Sequence, residues 1–167
     1  MEIPIEISAR HVHLSKADVT QLFGSDGVLT SAKEISQPDQ FAAEQTVTLQ
    51  GPKGCIQDVR VVGPAREMTQ VELAITDCYI LGIKPHIAVS GQLEGSPGGI
   101  TLTGPCGSLA LSHGVIVAKR HLHIDPQQAT KLGIQHLDTV SVRITGERSV
   151  TLHNVVVRSR QGIDELA

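Results

Sequence analysis

The sequence is poor in aromatic residues, which make up only 2% of its 167 residues and include no tryptophan. Its core must therefore be built from the aliphatic side chains of Val, Ile, Leu and Ala. Aromatic side chains are also the surfaces on which single-stranded bases stack, and a formal net charge of −3 provides no general attraction for nucleic acid or anionic lipid. We expect no nucleic-acid partner and no membrane partner.

Cysteine is scarce as well, and Cys55, Cys78 and Cys106 form no Cys-x-x-Cys pair. An odd number of cysteines without metal-binding spacing favours reduced thiols over a disulfide framework. No apolar run approaches the roughly 20 residues that a membrane-spanning helix requires. The N-terminus also lacks the basic and then apolar pattern of a signal peptide. The sequence predicts a soluble, cytoplasmic protein.

Most of the chain has the pattern of short β-strands. Apolar, β-branched residues occupy alternate positions, and turns rich in Gly and Pro separate the segments. Many short strands at close spacing favour small barrels over a parallel α/β sheet, so we predict a mainly β fold. The predicted strands are QTVTLQ (45–50), QDVRVVG (57–63), QVELAIT (70–76), GITLTG (99–104), GVIVAKRHLHI (114–124), TVSVRIT (139–145) and SVTLHNVVVR (149–158).

Two short helices are predicted, each directly after a His-x-His pair. The first has Ser15 as its N-cap and ends at Gly24. The second has Asp125 as its N-cap and Pro126 at its first position, and it ends near Gly133.

The chain also contains an internal echo, because VTLQGPKG (47–54) resembles ITLTGPCG (100–107). We interpret the chain as two related β-barrel units, each with one His-x-His strand and one capping helix. The predicted units are residues 1–90 and 91–167. The boundary is approximate and allows strands to exchange between the units. It falls in the Gly-, Pro- and Ser-rich segment 89–99.

The Arg-His-x-His pattern occurs twice, at His11 and His13 and again at His121 and His123. In a strand, residues i and i+2 point to the same face about 6–7 Å apart, so two imidazoles can bind one metal ion. Neutral imidazole is a good ligand for zinc. Sites made of histidine and carboxylate, without cysteine, are typical of metals that take part in chemistry.

Two further residues are candidates for the same site. Glu72 lies between Val71 and Leu73 in an apolar strand, where burial of an uncompensated carboxylate would be costly and a metal would remove the cost. The alternative is that Glu72 lies on the solvent face of the strand. Arg66 follows a Gly-Pro turn and could bind an anionic oxygen with two hydrogen bonds; the alternative is an ordinary exposed arginine. Arg10 and Arg120, which precede the histidine pairs, are expected to form structural ion pairs.

Five long segments together resemble the phosphate propanoyltransferase family, the propanediol-utilisation type of phosphotransacylase. The resemblance implies two β-barrel units capped by short helices, with a dinuclear zinc site between them. It also implies the reaction of acyl-CoA with phosphate to give acyl phosphate and CoA, with a short acyl group such as propanoyl or acetyl. The segments are SARHVHLS (8–15), SQPDQFAAEQTVTLQGPKG (36–54), VRVVGPAREMTQVELAITD (59–77), SGQLEGSPGGITLTGPCGSL (90–109) and GVIVAKRHLHIDPQQATKLGI (114–134).

The resemblance also assigns roles to individual residues. It implies one zinc bound by His11, His13 and Glu72, a second zinc bound by His121 and His123, and a catalytic role for Arg66. It identifies no CoA-binding residue.

Two departures from the family pattern bear on these expectations. The family usually continues into a C-terminal segment whose histidine completes the second zinc site, so that site could lack a ligand, with His153 as a weak substitute. The N-terminal extension that directs some relatives into bacterial microcompartments is also not seen, which favours a free cytoplasmic enzyme. Association with a microcompartment and assembly into a homo-oligomer stay open.

Two other functions are compatible with the same residues. A metal-dependent thioester hydrolase would use water where the transferase uses phosphate. A non-catalytic binding module would use its metals only to brace the fold.

Overall fold

The computed structural model describes residues 3–159, and within them the fold is mainly β, as predicted. The helices are α1 (Lys16–Phe23), α2 (Ile75–Leu81) and α3 (Pro126–Leu132). The strands are β1 (His11–His13), β2 (Ser31–Glu34), β3 (Phe41–Gln50), β4 (Cys55–Gly63), β5 (Gln70–Glu72), β6 (Ile87–Ala88), β7 (Ile100–Thr103), β8 (Ser108–Leu111), β9 (Val115–Ala118), β10 (His121–Ile124), β11 (Thr139–Ile144) and β12 (Val150–Ser159). None of the helices in this part of the chain is long and apolar enough to cross a membrane.

The chain forms two compact units, each with its own apolar core. The larger unit is Ser8–Ala118, and the smaller unit combines the described residues of Met1–Ile7 and Lys119–Ala167. The Gly- and Pro-rich segment 89–99 lies inside the larger unit, where the Ser96 hydroxyl accepts a hydrogen bond from the Gly114 N–H at 2.9 Å. The division into related barrels of residues 1–90 and 91–167 stays a prediction.

In the larger unit, the described strands form one nine-stranded sheet in the order β6-β9-β5-β1-β4-β3-β7-β8, with β2 paired to β3. Strand β1 lies in the interior of this order, parallel to β4 and antiparallel to β5. The segment GVIVAKRHLHI, predicted as one strand, is two strands: β9 belongs to the larger unit and β10 to the smaller one.

The two predicted helices are confirmed, and their caps act as the sequence indicates. The Ser15 hydroxyl accepts from the Asp18 N–H at 3.1 Å, which satisfies a donor that the first turn of α1 leaves unpaired. The Asp125 carboxylate accepts from the Gln127 N–H at 2.8 Å at the start of α3, and Gly133 ends that helix with φ +67°.

Helix α2 was missed by the sequence pattern, because QVELAIT was predicted to be a strand throughout. The short strands β2, β6 and β8 were not predicted either. Strand β5 ends at Glu72, and the chain turns into a helix. The Asp77 carboxylate accepts from the Ala74 N–H at 2.9 Å and forms an ion pair with Arg10 at 2.8 Å, while Gly82 ends the helix in the left-handed conformation. The ion pair confirms the structural role expected of Arg10 and raises its pKa.

The larger unit repeats one arrangement, a strand followed by a helix and then a hairpin. The first half of the unit contains β1, α1 and the hairpin β3–β4, and the second half contains β5, α2 and the hairpin β7–β8. The hairpin turns carry the two echoed sequences, and each turn packs against the C-terminal end of the helix from the other half. The Lys53 N–H donates to the Leu81 carbonyl at 3.1 Å, and the Cys106 N–H donates to the Leu22 carbonyl at 3.0 Å. A Cβ on Gly51 would lie 2.3 Å from the Leu81 oxygen, so this approach requires glycine.

The helix starts of the two halves also exchange contacts. Arg10, directly before β1, pairs with Asp77, the third residue of α2. Thr69, directly before β5, donates its hydroxyl to Asp18, the third residue of α1. Each helix is therefore stabilised by a residue from the opposite half.

Strands β1 and β5, one from each half, pair antiparallel. Val12 and Val71, the middle residues of the two strands, are buried and lie directly opposite each other. The flanking pairs are His11 opposite Glu72 and His13 opposite Gln70.

In the smaller unit, the described strands form a three-stranded sheet in the order β10-β12-β11. Strand β10 is parallel to β12, and α3 follows β10 directly. The core of this unit contains Leu122, Ile124, Ala129, Val155 and Val157.

Candidate metal centre

The pairing of β1 with β5 places His11, His13 and Glu72 on one face of the sheet. His11 and His13 share a face because they are two residues apart in a strand, and Glu72 lies directly opposite His11 on β5. The two imidazole rings are nearly perpendicular, at 89°, with their centroids 4.9 Å apart.

The backbone sets the orientation of both rings. The Nδ1 atom of His11 lies 2.8 Å from the Ala9 carbonyl oxygen, and that of His13 lies 3.1 Å from the Val62 carbonyl oxygen. A carbonyl oxygen only accepts, so in each neutral ring Nδ1 carries the hydrogen and donates it. The lone pair is then on Nε2, and this tautomer is the one that metal-binding histidines use when Nδ1 is hydrogen-bonded.

Glu72 is buried, with 7% of its surface exposed, so the alternative of a solvent-facing glutamate is wrong. Its Oε1 lies 3.7 Å from His11 Nε2. His11, His13 and Glu72 each offer one ligand atom, and these three atoms all lie within 4.8 Å of one another. Two neutral imidazoles and a carboxylate suit zinc and related divalent ions and leave coordination positions for other ligands.

His13 is held in its neutral form. Its burial, aided by the positive charge of Arg66 and by the neighbouring His11, lowers its pKa from 6.5 to about 3, although the hydrogen bond to Val62 acts in the opposite direction. A buried histidine that is already neutral near pH 7 can bind a cation without first releasing a proton.

Arg66 lies beside this cluster and is half-buried rather than fully exposed. Its backbone N–H donates to the Leu14 carbonyl at 2.8 Å, which fixes its position next to β1 and α1. Its guanidinium donates from Nη2 to Gln40 Oε1 at 3.1 Å. The guanidinium is close enough for its charge to lower the pKa of His13.

The second His-x-His pair lies on β10 of the smaller unit. The rings of His121 and His123 have centroids 4.8 Å apart at an angle of 81°, and His121 Nδ1 donates to the Lys119 carbonyl at 2.7 Å. This geometry matches that of His11 in the larger unit. His153 shares a hydrogen bond of 2.8 Å with the Ser141 hydroxyl on β11. The second zinc and its joining with the first stay predictions.

Two residues that contact Glu72 were not identified from the sequence. Gln70 Nε2 donates to Glu72 Oε1 at 2.5 Å, and the Ser90 hydroxyl donates to the same oxygen at 2.7 Å. Gln70 could have been found, since it lies two residues from Glu72 in the same strand. Ser90 gives no signal in the sequence, because only the fold brings it to β5.

The sequence matches the phosphate propanoyltransferase family over residues 4–165. The chain belongs to the phosphate propanoyltransferase family. It is 49% identical over 157 residues to a phosphate propanoyltransferase of Rhodobacter capsulatus, covering 94% of this chain and 73% of the relative. It is 47% identical over 160 residues to one of Thermotoga maritima, covering 95% of this chain and 76% of the relative.

A phosphate propanoyltransferase is an acyltransferase, and the prediction that this chain is an enzyme is therefore confirmed. The residues that form the cluster and Arg66 all fall within the matched part of the sequence.

Proposed function

We propose that this chain transfers a short acyl group, propanoyl or acetyl, between CoA and phosphate. The reaction is acyl-CoA plus phosphate giving acyl phosphate plus CoA, and its reverse. The proposal is supported by the family match over residues 4–165 and by the relatives named phosphate propanoyltransferase. The observation that carries the proposal is the cluster of partly buried His11 with buried His13 and Glu72 in a chain of this family.

In this proposal His11, His13 and Glu72 hold a zinc ion. The donor set fits, since the Nδ1 hydrogen bonds of both histidines leave Nε2 available and the neighbouring carboxylate is buried. When bound, zinc supplies a Lewis acid that polarises oxygen atoms and attracts anionic groups.

Arg66 is the proposed catalytic residue, because its planar guanidinium can hold two oxygens of a phosphate at once. Gln40, which accepts from Nη2 at 3.1 Å, limits the rotation of that group. A phosphate oxygen attacks the thioester carbonyl carbon, the new C–O bond forms, and the C–S bond breaks to release the CoA thiolate. A well-placed donor to the developing oxyanion contributes about 3–4 kcal/mol.

No acyl-enzyme intermediate is needed in this scheme, because bound phosphate is itself the nucleophile. Cys78 is poorly suited to nucleophilic attack, since it is buried and its burial raises the pKa of its thiol.

A second zinc at His121 and His123 is part of the same proposal and is tested by counting metal. Purified wild-type protein should contain two zinc ions per chain. His11→Ala and His121→Ala should each lose one of them, because each substitution removes an imidazole ligand. An unchanged zinc content in His11→Ala would contradict the assignment of the larger unit's site.

The choice between transfer and hydrolysis rests on the phosphate requirement. Propanoyl-CoA is incubated with the zinc-loaded enzyme, with and without phosphate, and free CoA is measured. We expect CoA release only with phosphate, accompanied by acyl phosphate. Release without phosphate would favour a thioester hydrolase, and no release under either condition would favour a non-catalytic module.

A further inference from the structure

The carboxylate of Glu72 is the end point of a small hydrogen-bond network. Its Oε1 accepts from Gln70 Nε2 at 2.5 Å and from the Ser90 hydroxyl at 2.7 Å, and Gln70 Nε2 also lies 3.0 Å from Ser90 Oγ. The network joins strand β5 to the segment 89–99. Gln70 is 1% exposed, so its amide group makes these bonds away from bulk water.

The direction of every hydrogen in this network follows from one backbone group. The Gly91 N–H can only donate, and it lies 2.9 Å from Gln70 Oε1, so the amide oxygen of Gln70 faces Gly91. The NH₂ group of Gln70 then points the other way, with one hydrogen toward Glu72 and one toward Ser90. Because Ser90 accepts from Gln70, its own single hydrogen goes to Glu72. Both donors therefore point at the carboxylate.

We propose that Ser90 and Gln70 are positioning residues that hold the carboxylate of Glu72 in a fixed orientation for a divalent metal ion. This inference rests on the proposed function, in which Glu72 is a zinc ligand. The terminal torsion of a glutamate is broad, and two fixed donors restrict it before the metal arrives. Hydrogen-bond partners of metal ligands typically change metal affinity about 10- to 100-fold when they are removed.

A purely structural role is the competing explanation, since the same bonds attach segment 89–99 to β5. Ser96 provides the matched control. It lies in the same segment, is 7% exposed, donates to the Leu93 carbonyl at 2.5 Å and accepts from the Gly114 N–H at 2.9 Å. Ser96→Ala therefore loosens the segment by the same chemical change while leaving the two donors to Glu72 in place.

The test measures zinc affinity by competition with a chromogenic chelator, using the full chain in a His121→Ala background so that only the larger unit's site is titrated. We expect Ser90→Ala to bind zinc about 10- to 100-fold more weakly. Ser96→Ala should bind zinc as the background does, although its urea midpoint falls. In the assay of acyl transfer, which is made without the His121→Ala substitution, excess zinc should restore the activity of Ser90→Ala, since the defect is in zinc affinity. Gln70→Leu, which removes the other donor, should also bind zinc more weakly.

Each outcome decides the matter. Background-level zinc affinity in Ser90→Ala and Gln70→Leu, or an equal loss in Ser96→Ala, would overturn the positioning role while leaving the proposed function intact. The metal site and the positioning role would be overturned together by two results. The His121→Ala background would bind no zinc, and His11→Ala would contain as much zinc as wild-type protein. Phosphate-dependent CoA release from wild-type protein tests the transferase itself separately.

Discussion

The neutral form of buried His13 should contribute stability to the metal-free protein that acid removes. Burial lowers its pKa from 6.5 to about 3 in the folded protein, whereas the unfolded chain should titrate near 6.5. Between these two values the unfolded chain binds a proton at His13 that the folded chain does not. The stability contributed by neutral His13 is therefore complete above about pH 6.5 and is lost as the pH falls toward 3.

The size of the effect follows from this difference in proton binding. One proton bound only by the unfolded chain changes the free energy of unfolding by about 1.4 kcal/mol per pH unit. Because His13 is only partly protonated in the unfolded chain near pH 6.5, the expected loss between pH 7 and pH 5 is about 2 kcal/mol. The measurement is urea unfolding at pH 7, 6 and 5 with a chelator present.

The contribution of His13 is isolated by comparing variants, because all other titrating groups are common to them. Asparagine at position 13 cannot titrate, and its amide can still donate to the Val62 carbonyl. His13→Asn should lose about 2 kcal/mol less than wild type between pH 7 and pH 5. His113→Asn, at an exposed position of the same unit, should follow the wild type. Parallel pH profiles for wild type and His13→Asn would refute the reasoning.

Three further predictions concern activity and stability. Arg66→Lys should lower kcat about 10²- to 10³-fold in phosphate-dependent CoA release, because an ammonium cannot hold two oxygens as a guanidinium does; an unchanged kcat would remove Arg66 from the mechanism. Gly51→Ala should destabilise the protein by about 1–3 kcal/mol in urea unfolding, since the new Cβ would lie 2.3 Å from the Leu81 oxygen; equal stability would mean that the turn can move away. Asp125→Ala should cost about 1 kcal/mol because the Gln127 N–H loses its acceptor, and Asp125→Ser should restore most of that stability.

Helices α1 and α3 could be predicted because their ends are encoded locally. Ser15 and Asp125 cap backbone N–H groups two or three residues away, and Gly24 and Gly133 stop the helices. Such signals depend on the nearest turn of chain alone.

Helix α2 could not be predicted in this way. Its residues include Ile75, Thr76 and Ile80, which favour strands in isolation. What stabilises the helix is the packing of Leu81 in the core and the ion pair of Asp77 with Arg10, far away in the sequence. Tertiary contacts therefore overrode local propensity.

The candidate site also combines features that the local sequence predicts with features that depend on the fold. The spacing of His11 and His13 predicted a shared face, which the strand pairing confirms. The apolar neighbours of Glu72 made it a candidate for a buried carboxylate, with a solvent-facing glutamate as the alternative, and the fold buries it. The pairing of β1 with β5 and the approach of Ser90 to Glu72 depend on how distant segments meet. No local pattern contains that information.

The antiparallel pairing of β1 with β5 also has a consequence for how the protein folds. The first half contributes two imidazoles and the second half one carboxylate, so a chain in which these strands have not paired cannot offer all three ligands at once. If the proposed metal site is correct, a divalent cation would bind the finished sheet far better than any partly folded chain, and its binding energy would add to the stability of the finished sheet. Metal supply during synthesis would thus influence the yield of folded protein as well as its turnover.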